Sequence, residues 1–336
     1  GQALCDFATM WRQRFDLPIV AVTGSNGKTT VKEMVGTILR RHFAGPGEDA
    51  GVLVTWGNLN NHIGVPITLL WMRDSHRAAV IEMGASARRE IARLAAIAAP
   101  GIAIITNAGP AHLGGFGGTL RDVAEAKGEL FAGLPAGSVA VINRDDPFYG
   151  YWRGLRDDIT YRSFGLSAEA DYRAVDVQAL GVQGLRFRML TPSGEIPVNL
   201  PMAGGHNVRN ALAAAAASLA AGASLEAVRD ALGQMLNVAG RLRAEPGPDG
   251  STIFDDSYNA NPGSVAAAIH FLAGLGGQRW LVLGGMAELG PDQAALHREI
   301  GVLAAKSGID RFYCVGELTR PAAEGFGAAA HWYADV

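Results

Sequence analysis

The chain has 336 residues, which is enough for about two domains of ordinary size. Its 29 lysines and arginines nearly balance 32 aspartates and glutamates, for a formal net charge of −3. This balance argues against a dedicated nucleic-acid-binding protein, and no apolar run reaches the ~18 residues that a membrane-spanning helix needs. Two cysteines, Cys5 and Cys314, cannot build a disulfide framework, so we expect reduced thiols and a cytoplasmic location.

Short apolar runs alternate with helical patterns through the first half of the chain. The pattern predicts strands at 18–23, 78–81, 101–106 and 138–142, and helices at 29–41, 86–98 and 120–134. Continuous β-branched runs that alternate with helices are typical of buried parallel strands joined by helical crossovers. Polar residues that follow these strands would then share one edge of the sheet, where such sheets bind their ligands.

The pattern changes from about residue 158 to residue 201. Alternating apolar residues at Leu185, Phe187 and Met189, with a turn at 191–194, predict an antiparallel meander. Two helices are predicted next, at 207–221 and at 224–235, where Ser224 is suited to cap the second.

The segment 245–250 (EPGPDG) is the best candidate for a linker. Beyond it, the pattern predicts strands at 252–254, 279–283 and 311–315, and helices from about 263 and at 292–306. These elements form a second and smaller α/β unit, so we expect two α/β domains.

A glycine-rich segment follows the first predicted strand and opens the first predicted helix. It consists of Gly24, Ser25, Asn26, Gly27, Lys28, Thr29 and Thr30. Glycines allow backbone N–H groups to face phosphates, a lysine reaches the outer phosphates, and the next hydroxyl can ligate Mg²⁺. Val22 stands where the usual P-loop has its first glycine, so this loop has the shorter form GxxGKT.

The shorter loop resembles that of the Mur ligase superfamily, whose members use ATP to join a carboxylate to an amine. Six further segments are similar to the branch that adds D-alanyl-D-alanine to a UDP-MurNAc-tripeptide: 57–66 (GNLNNHIGVP), 81–85 (IEMGA), 111–117 (AHLGGFG), 126–129 (AKGE), 205–210 (GHNVRN) and 255–262 (DDSYNANP). The resemblance covers residues 11–315, which is nearly the whole chain.

The resemblance implies an α/β fold with a central, mostly parallel P-loop-type ATPase domain over residues 1–243. A smaller, Rossmann-like C-terminal domain would cover residues 244–336. The implied reaction is an ATP-dependent amide ligation through an acyl phosphate, in the synthesis of peptidoglycan precursors. ATP and Mg²⁺ are the implied cofactors, and UDP-MurNAc-tripeptide and D-Ala-D-Ala are the implied small-molecule substrates. We expect no nucleic-acid partner, no membrane insertion and a monomer.

The resemblance also implies a catalytic and metal-binding set. Lys28 would contact the phosphates, Thr29 would ligate the nucleotide Mg²⁺, and Glu82 and His112 would help to hold a second Mg²⁺. Lys127 corresponds to a lysine that is carbamylated in the family. Addition of CO₂ would turn its cation into an anion that can serve the metal site.

The remaining implied residues hold the nucleotide and the substrates. Asn207 and Asn210, three residues apart on one helix face, would meet adenine, while Arg241 would reach the phosphates and Asp256 the ribose or the Mg²⁺-nucleotide. Asn58, Asn60 and Asn61 are expected to face substrate. Tyr258, Asn259 and Asn261 would face either the incoming dipeptide or the nucleotide.

Two alternatives stay open at this point. The chain could be another ligase of the superfamily, such as a folylpolyglutamate synthase, or a P-loop NTPase that acts as a switch or binding module. Ligases of the resembled type place the phosphate loop in the middle one of three domains. We therefore expect that this chain lacks the UDP-gripping domain and part of the last domain, binds ATP, and ligates poorly.

Overall fold

The computed structural model describes residues 1–44, 51–110 and 113–335. The first α/β unit contains these elements: α1 Gln2–Arg12, β1 Ile19–Thr23, α2 Lys28–Phe43, β2 Val52–Val54, α3 Gly64–Leu70, β3 Ala78–Glu82, α4 Glu90–Ala98, β4 Ile102–Ile105, α5 Leu113–Phe116, α6 Leu120–Ala132, β5 Val139–Asn143, α7 Tyr149–Arg153, β6 Thr160–Gly165, β7 Tyr172–Ala179, β8 Leu185–Thr191, β9 Gly194–Leu200, α8 His206–Ala220 and α9 Leu225–Leu232. The strands and helices predicted for this region are confirmed, with ends that differ by a few residues.

These strands form one sheet in the order β2-β3-β1-β4-β5-β6-β7-β8-β9. Pairing is parallel from β2 through β7 and antiparallel between β7, β8 and β9. The prediction of an antiparallel meander from residue 158 is therefore wrong for β6, which pairs parallel to β5. The reason is α7, which carries the chain across the sheet so that β6 starts at the same edge as β5.

Helices cover the parallel strands on both faces. On one face α2 and α8 pack through residues such as Met34, Ile38 and Leu212 against Val20 and Val22. On the other face α3, α4 and α6 cover Ala21, Ile81 and Ile105. Because β1 and β3 are buried along their whole length, their sequences are continuous apolar runs rather than alternating ones.

The second unit contains β10 Arg243–Pro246, β11 Thr252–Asp255, α10 Pro262–Ala273, β12 Trp280–Leu283, α11 Gln293–Lys306, β13 Arg311–Val315, α12 Arg320–Phe326 and β14 Ala330–Tyr333. Its parallel sheet, in the order β12-β13-β14, packs with the helices around Phe312 and Ile300. The predicted α/β fold with two units is thus confirmed. The boundary between residues 243 and 244 stays a prediction.

The segment 245–250, which we predicted to be a linker, is part of a hairpin. Residues Arg243–Pro246 pair antiparallel with Thr252–Asp255, and the proline- and glycine-rich residues between them form the turn. Across the described ranges, no helix is both long and apolar enough to cross a membrane.

Candidate nucleotide and metal site

The phosphate loop runs from the end of β1 into α2, and its glycines have backbone angles that other residues rarely adopt. Gly24 has φ +145° and Gly27, which precedes the helix, has φ +83°. A Cβ atom on Gly27 would also lie 2.6 Å from Oδ1 of Asn210. Both the backbone angle and the close approach therefore require glycine at this position.

Lys28 begins α2 and folds back over the loop. Its Nζ donates hydrogen bonds to the carbonyl oxygens of Gly24 at 2.7 Å and Ser25 at 3.2 Å. Burial lowers the pKa of Lys28 below its ordinary value; the charge of Glu82 opposes this shift and that of Arg241 adds to it. A weakly solvated cation above a ring of backbone amides is the arrangement that binds phosphates.

Thr29 and Glu82 meet at the carboxyl edge of the sheet, as the sequence predicted. Oγ1 of Thr29 donates to Oε1 of Glu82 at 3.3 Å, and Nδ2 of Asn60 donates to the same oxygen at 2.9 Å. Glu82 is 2% exposed, and its Oε2 atom has no hydrogen-bond partner within the described part of the chain. A buried carboxylate oxygen without a hydrogen bond is costly, and it is a suitable ligand for a hard cation such as Mg²⁺.

Lys32 is a buried cation that our sequence analysis missed. Its side chain is fully buried, with Nζ 3.8 Å from Oε2 of Glu82 and 3.0 Å from Oε1 of Glu33, and it donates to the carbonyl oxygen of Gly57 at 3.3 Å. Its position in the sequence could have identified it, because a residue four positions after Lys28 lies on the same face of α2.

Lys127 lies on α6 and is 3% exposed. Its Nζ is 4.9 Å from the ring centroid of Phe116, and among the described residues it has no ion pair. Burial, reinforced by the positive charge of Lys28, lowers the pKa of Lys127 to about 7. His112, the other predicted member of this set, lies outside the described residues.

Asn207 and Asn210 are both buried at the start of α8 and line a cavity of about 280 Å³. Nδ2 of Asn207 donates to the carbonyl oxygen of Ala203 at 2.7 Å, and Nδ2 of Asn210 donates to Oδ1 of Asn207 at 2.9 Å. Neither side chain caps the helix. The predicted pair is thus brought together, and Arg241 and Asp256 line the same cavity.

The second unit contacts the phosphate loop directly. Nδ2 of Asn261 donates to Oδ1 of Asn26 at 2.6 Å, while Asn261 also caps α10. The guanidinium of Arg241 stacks 4.3 Å from the ring centroid of Tyr258. Oδ1 of Asp256 accepts from the backbone N–H of Leu242 at 3.2 Å, and burial raises the pKa of Asp256 to about 6.

A larger cavity of about 760 Å³ extends from the phosphate loop past Glu82. Of the predicted substrate residues, those that line it are Asn60, Asn61, Tyr258, Asn259 and Asn261. Asn58 does not line it. Asn61 also stabilises the local backbone, because its Oδ1 accepts hydrogen bonds from the N–H groups of Ile63 and Gly64 at the start of α3.

Three arginines that our sequence analysis did not single out also line the larger cavity: Arg88, Arg89 and Arg93. They flank the start of α4, shortly after the Ile81–Ala85 segment. The signal in the sequence was an arginine pair followed four residues later by a third arginine, just after a predicted strand end.

The comparisons with known proteins agree with this geometry. Residues 22–218 match the Mur ligase middle domain family, and residues 240–335 match the family of the Mur ligase glutamate ligase domain. The UDP-N-acetylmuramoyl-tripeptide–D-alanyl-D-alanine ligase of Escherichia coli (strain K12) is 40% identical over 331 residues, which are 98% of this chain and 71% of that protein.

Two solved structures are similar over nearly the whole chain. The UDP-N-acetylmuramoylalanyl-D-glutamyl-2,6-diaminopimelate–D-alanyl-D-alanyl ligase of Acinetobacter baumannii has a TM-score of 0.87 and 36% identity, covering 99% of this chain and 71% of that one. The MurF ligase of Thermotoga maritima, solved in complex with ADP, has a TM-score of 0.85 and 28% identity, covering 98% and 74%. The chain therefore spans about seven tenths of the length of these relatives.

Proposed function

Because this chain belongs to the Mur ligase family of ATP-dependent peptide ligases, we propose that it joins D-alanyl-D-alanine to UDP-N-acetylmuramoyl-tripeptide in the synthesis of peptidoglycan precursors. The observation that carries the proposal is the convergence of Lys28, Thr29 and Glu82 on one cavity that residues of the second unit also line. Similarity to named ligases over 98% of the chain favours this activity over folylpolyglutamate synthesis and over an NTPase switch.

The nucleotide would lie across the two cavities that meet at the phosphate loop. Asn26, Gly27 and Arg241 line both of them. The phosphates would then be bound by the loop and Lys28, with adenine near Asn210 and the ribose near Asp256. The ADP complex of the Thermotoga maritima relative supports nucleotide binding by this fold.

Glu82 and Thr29 are suited to hold Mg²⁺, since a buried carboxylate oxygen that accepts no described hydrogen bond lies beside a hydroxyl at the same sheet edge. When bound, the ion would neutralise the negative charges of the triphosphate and the substrate carboxylate. Asn60 would orient the carboxylate of Glu82 through its 2.9 Å hydrogen bond. The ligand role of His112 stays a prediction.

Lys127 is suited to carbamylation because its buried amine lies near the positive charge of Lys28 and has no ion pair among the described residues. A carbamate would replace a repulsion between two cations by an attraction. It would also place a negative charge within electrostatic reach of Lys28, close to the proposed site of the divalent cation.

The reaction that we propose has two steps. The substrate carboxylate attacks the γ-phosphate of ATP to give an acyl phosphate and ADP, and the amine of D-Ala-D-Ala then displaces phosphate and forms the amide. A carboxylate and a triphosphate repel each other, so Lys28 lowers the barrier by neutralising charge where the two meet. Contact between Asn26 and Asn261 couples the loop to the second unit, so closure of the two units would complete the site.

The test is to incubate the protein with ATP, Mg²⁺, UDP-MurNAc-tripeptide and D-Ala-D-Ala, and to detect the amide product by mass spectrometry. We expect slow but detectable formation of product with the wild type and none with Lys28→Ala, whereas Lys306→Ala, an exposed lysine on α11, should behave as the wild type. Product with another amine but not with D-Ala-D-Ala would contradict the assignment. The cytoplasmic location and the monomeric state stay predictions.

A further inference from the structure

Two arginines of the larger cavity have no charged partner within the part of the chain that the structure describes. Arg89 and Arg93 are exposed, line the cavity, and form no ion pair with any described carboxylate. Among the described residues, the side chain of Arg93 hydrogen-bonds to neutral groups, since its Nη2 lies 3.5 Å from Oε1 of Gln2 and 3.3 Å from Sγ of Cys5. By contrast, the neighbouring Arg88 is held by Asp122 and Glu125 and by the carbonyl oxygen of Phe116.

The placement of these two arginines costs stability. Arg89 directly precedes the first residue of α4 and Arg93 lies in its first turn, so both cations lie at the beginning of this helix. Positive charges at the beginning of a helix oppose its dipole, and Arg89 has the strained angle φ +67°. An anion between the two guanidinium groups would offset these costs.

The two described carboxylates of the cavity wall, Glu82 and Glu90, are engaged elsewhere. Glu90 lines the cavity, but its Oε2 accepts the backbone N–H groups of Ser86 at 2.7 Å and Ala87 at 3.1 Å. Glu82 is buried at the sheet edge beside Thr29 and Lys32. The basic pair therefore faces a cavity that opens towards the phosphate loop, and no described carboxylate forms an ion pair with either guanidinium group.

We propose that Arg89 and Arg93 bind a carboxylate of the acyl-donor peptide other than the one that reacts, an inference that rests on the proposed ligase function. The name of the Acinetobacter baumannii relative gives its peptide as alanyl-D-glutamyl-2,6-diaminopimelate. Glutamate and diaminopimelate each carry two carboxylates. When one carboxylate of such a residue is in an amide bond or reacts, its second carboxylate stays free. Guanidinium groups bind carboxylates through paired hydrogen bonds, and two arginines at the beginning of one helix would clamp such a group.

The test measures direct binding, separately from catalysis. Isothermal titration with UDP-MurNAc-L-Ala-γ-D-Glu-meso-diaminopimelate should give a Kd that rises about tenfold in each of Arg89→Gln and Arg93→Gln, since each loses a charged hydrogen bond. Arg93→Lys should lose less, and Arg229→Gln, an arginine on α9 outside both cavities, should match the wild type. In Arg89→Gln and Arg93→Gln, the Kd for ATP should stay within about twofold of the wild-type value.

Two substrate analogues distinguish the two possible carboxylates. If the pair binds the diaminopimelate carboxylate, a tripeptide that ends in lysine should bind the wild type weakly and should be insensitive to Arg89→Gln. If the pair binds the glutamyl carboxylate, an analogue with D-isoglutamine should instead bind the wild type weakly and be insensitive to Arg89→Gln.

The inference is wrong if the wild type does not bind the peptide, if neither substitution changes its Kd, or if ATP binding falls by the same factor. The last two outcomes leave the proposed function standing, whereas a wild type that does not bind the peptide would count against both. If the protein shows the arginine-dependent Kd but forms no amide product, the ligase assignment is wrong and the inference about the two arginines stands.

Discussion

Asn26 and Asn261, which are 235 residues apart, exchange side-chain hydrogen bonds between the phosphate loop and the second unit. Nδ2 of Asn261 donates to Oδ1 of Asn26 at 2.6 Å, and Nδ2 of Asn26 donates to Oδ1 of Asn261 at 3.4 Å. The same Oδ1 atom of Asn261 accepts the backbone N–H of Ser264 and so caps α10. The position of this helix is thereby linked to the conformation of the loop.

The amide pair can be separated from the helix cap by substitution. Asn261→Ser keeps a capping oxygen but loses the contact with Asn26, whereas Asn261→Ala loses both, at an additional cost of about 1 kcal/mol. In a double-mutant cycle with Asn26→Ala, we expect a coupling energy of about 0.5–1.5 kcal/mol for the amide pair, read from denaturant unfolding. Additive effects of Asn26→Ala and Asn261→Ser would show that the pair does not stabilise the interface.

Gly27 should not tolerate alanine. Its left-handed angle would cost about 1–3 kcal/mol, and the new Cβ would lie 2.6 Å from Oδ1 of Asn210. Gly137→Ala is the matched control, because Gly137 has φ +78° and open space around its Cβ position. We expect both variants to lose stability in thermal melts, but only Gly27→Ala to lose affinity for ADP, by about tenfold or more. Equal ADP affinities in the two variants would contradict the assigned role of the loop.

The lowered pKa of Lys127 predicts how carbamylation depends on pH. The neutral amine reacts with CO₂, and with a pKa of about 7 its fraction rises as the pH passes through neutrality. At constant dissolved ¹³CO₂, the carbamate resonance should therefore grow between roughly pH 6 and pH 8, whereas an ordinary lysine requires a pH near 10. Lys127→Arg should remove the resonance. A resonance that survives this substitution would place the carbamate elsewhere.

Lys32 should contribute strongly to stability although it contacts no solvent. Replacing it by methionine leaves the buried Glu82 without its nearby cation, and breaking such a pair typically costs about 3–5 kcal/mol. Glu33→Gln is the control, because Glu33 is one-third exposed, and losing its ion pair with Lys32 should cost about 1 kcal/mol or less. Denaturant unfolding of the two variants measures the difference. Similar losses in both would mean that the charge of Lys32 does not stabilise Glu82.

Local patterns in the sequence determined much of this fold. Buried runs such as 18–23 and 101–106 identify parallel strands because both faces of such a sheet are covered. The loop from Gly24 to Thr30 is recognisable because the residues suited to bind phosphate are adjacent in the sequence. The meeting of Thr29 with Glu82 also follows from sequence, since Glu82 ends β3 and Thr29 opens the helix that follows β1, at the same edge of one sheet.

Only the tertiary structure decided the relationships between distant segments. Examples are the parallel pairing of β6, the hairpin at 245–250 and the Asn26–Asn261 contact. Each depends on how separate segments of the chain fold back against each other. The burial of Lys32, and the absence of a described carboxylate partner for Arg89 and Arg93, likewise depend on which side chains other elements bring near. The physical reason is that periodicity reports which face of an element is buried, whereas the partner at that face is set by packing across the whole chain.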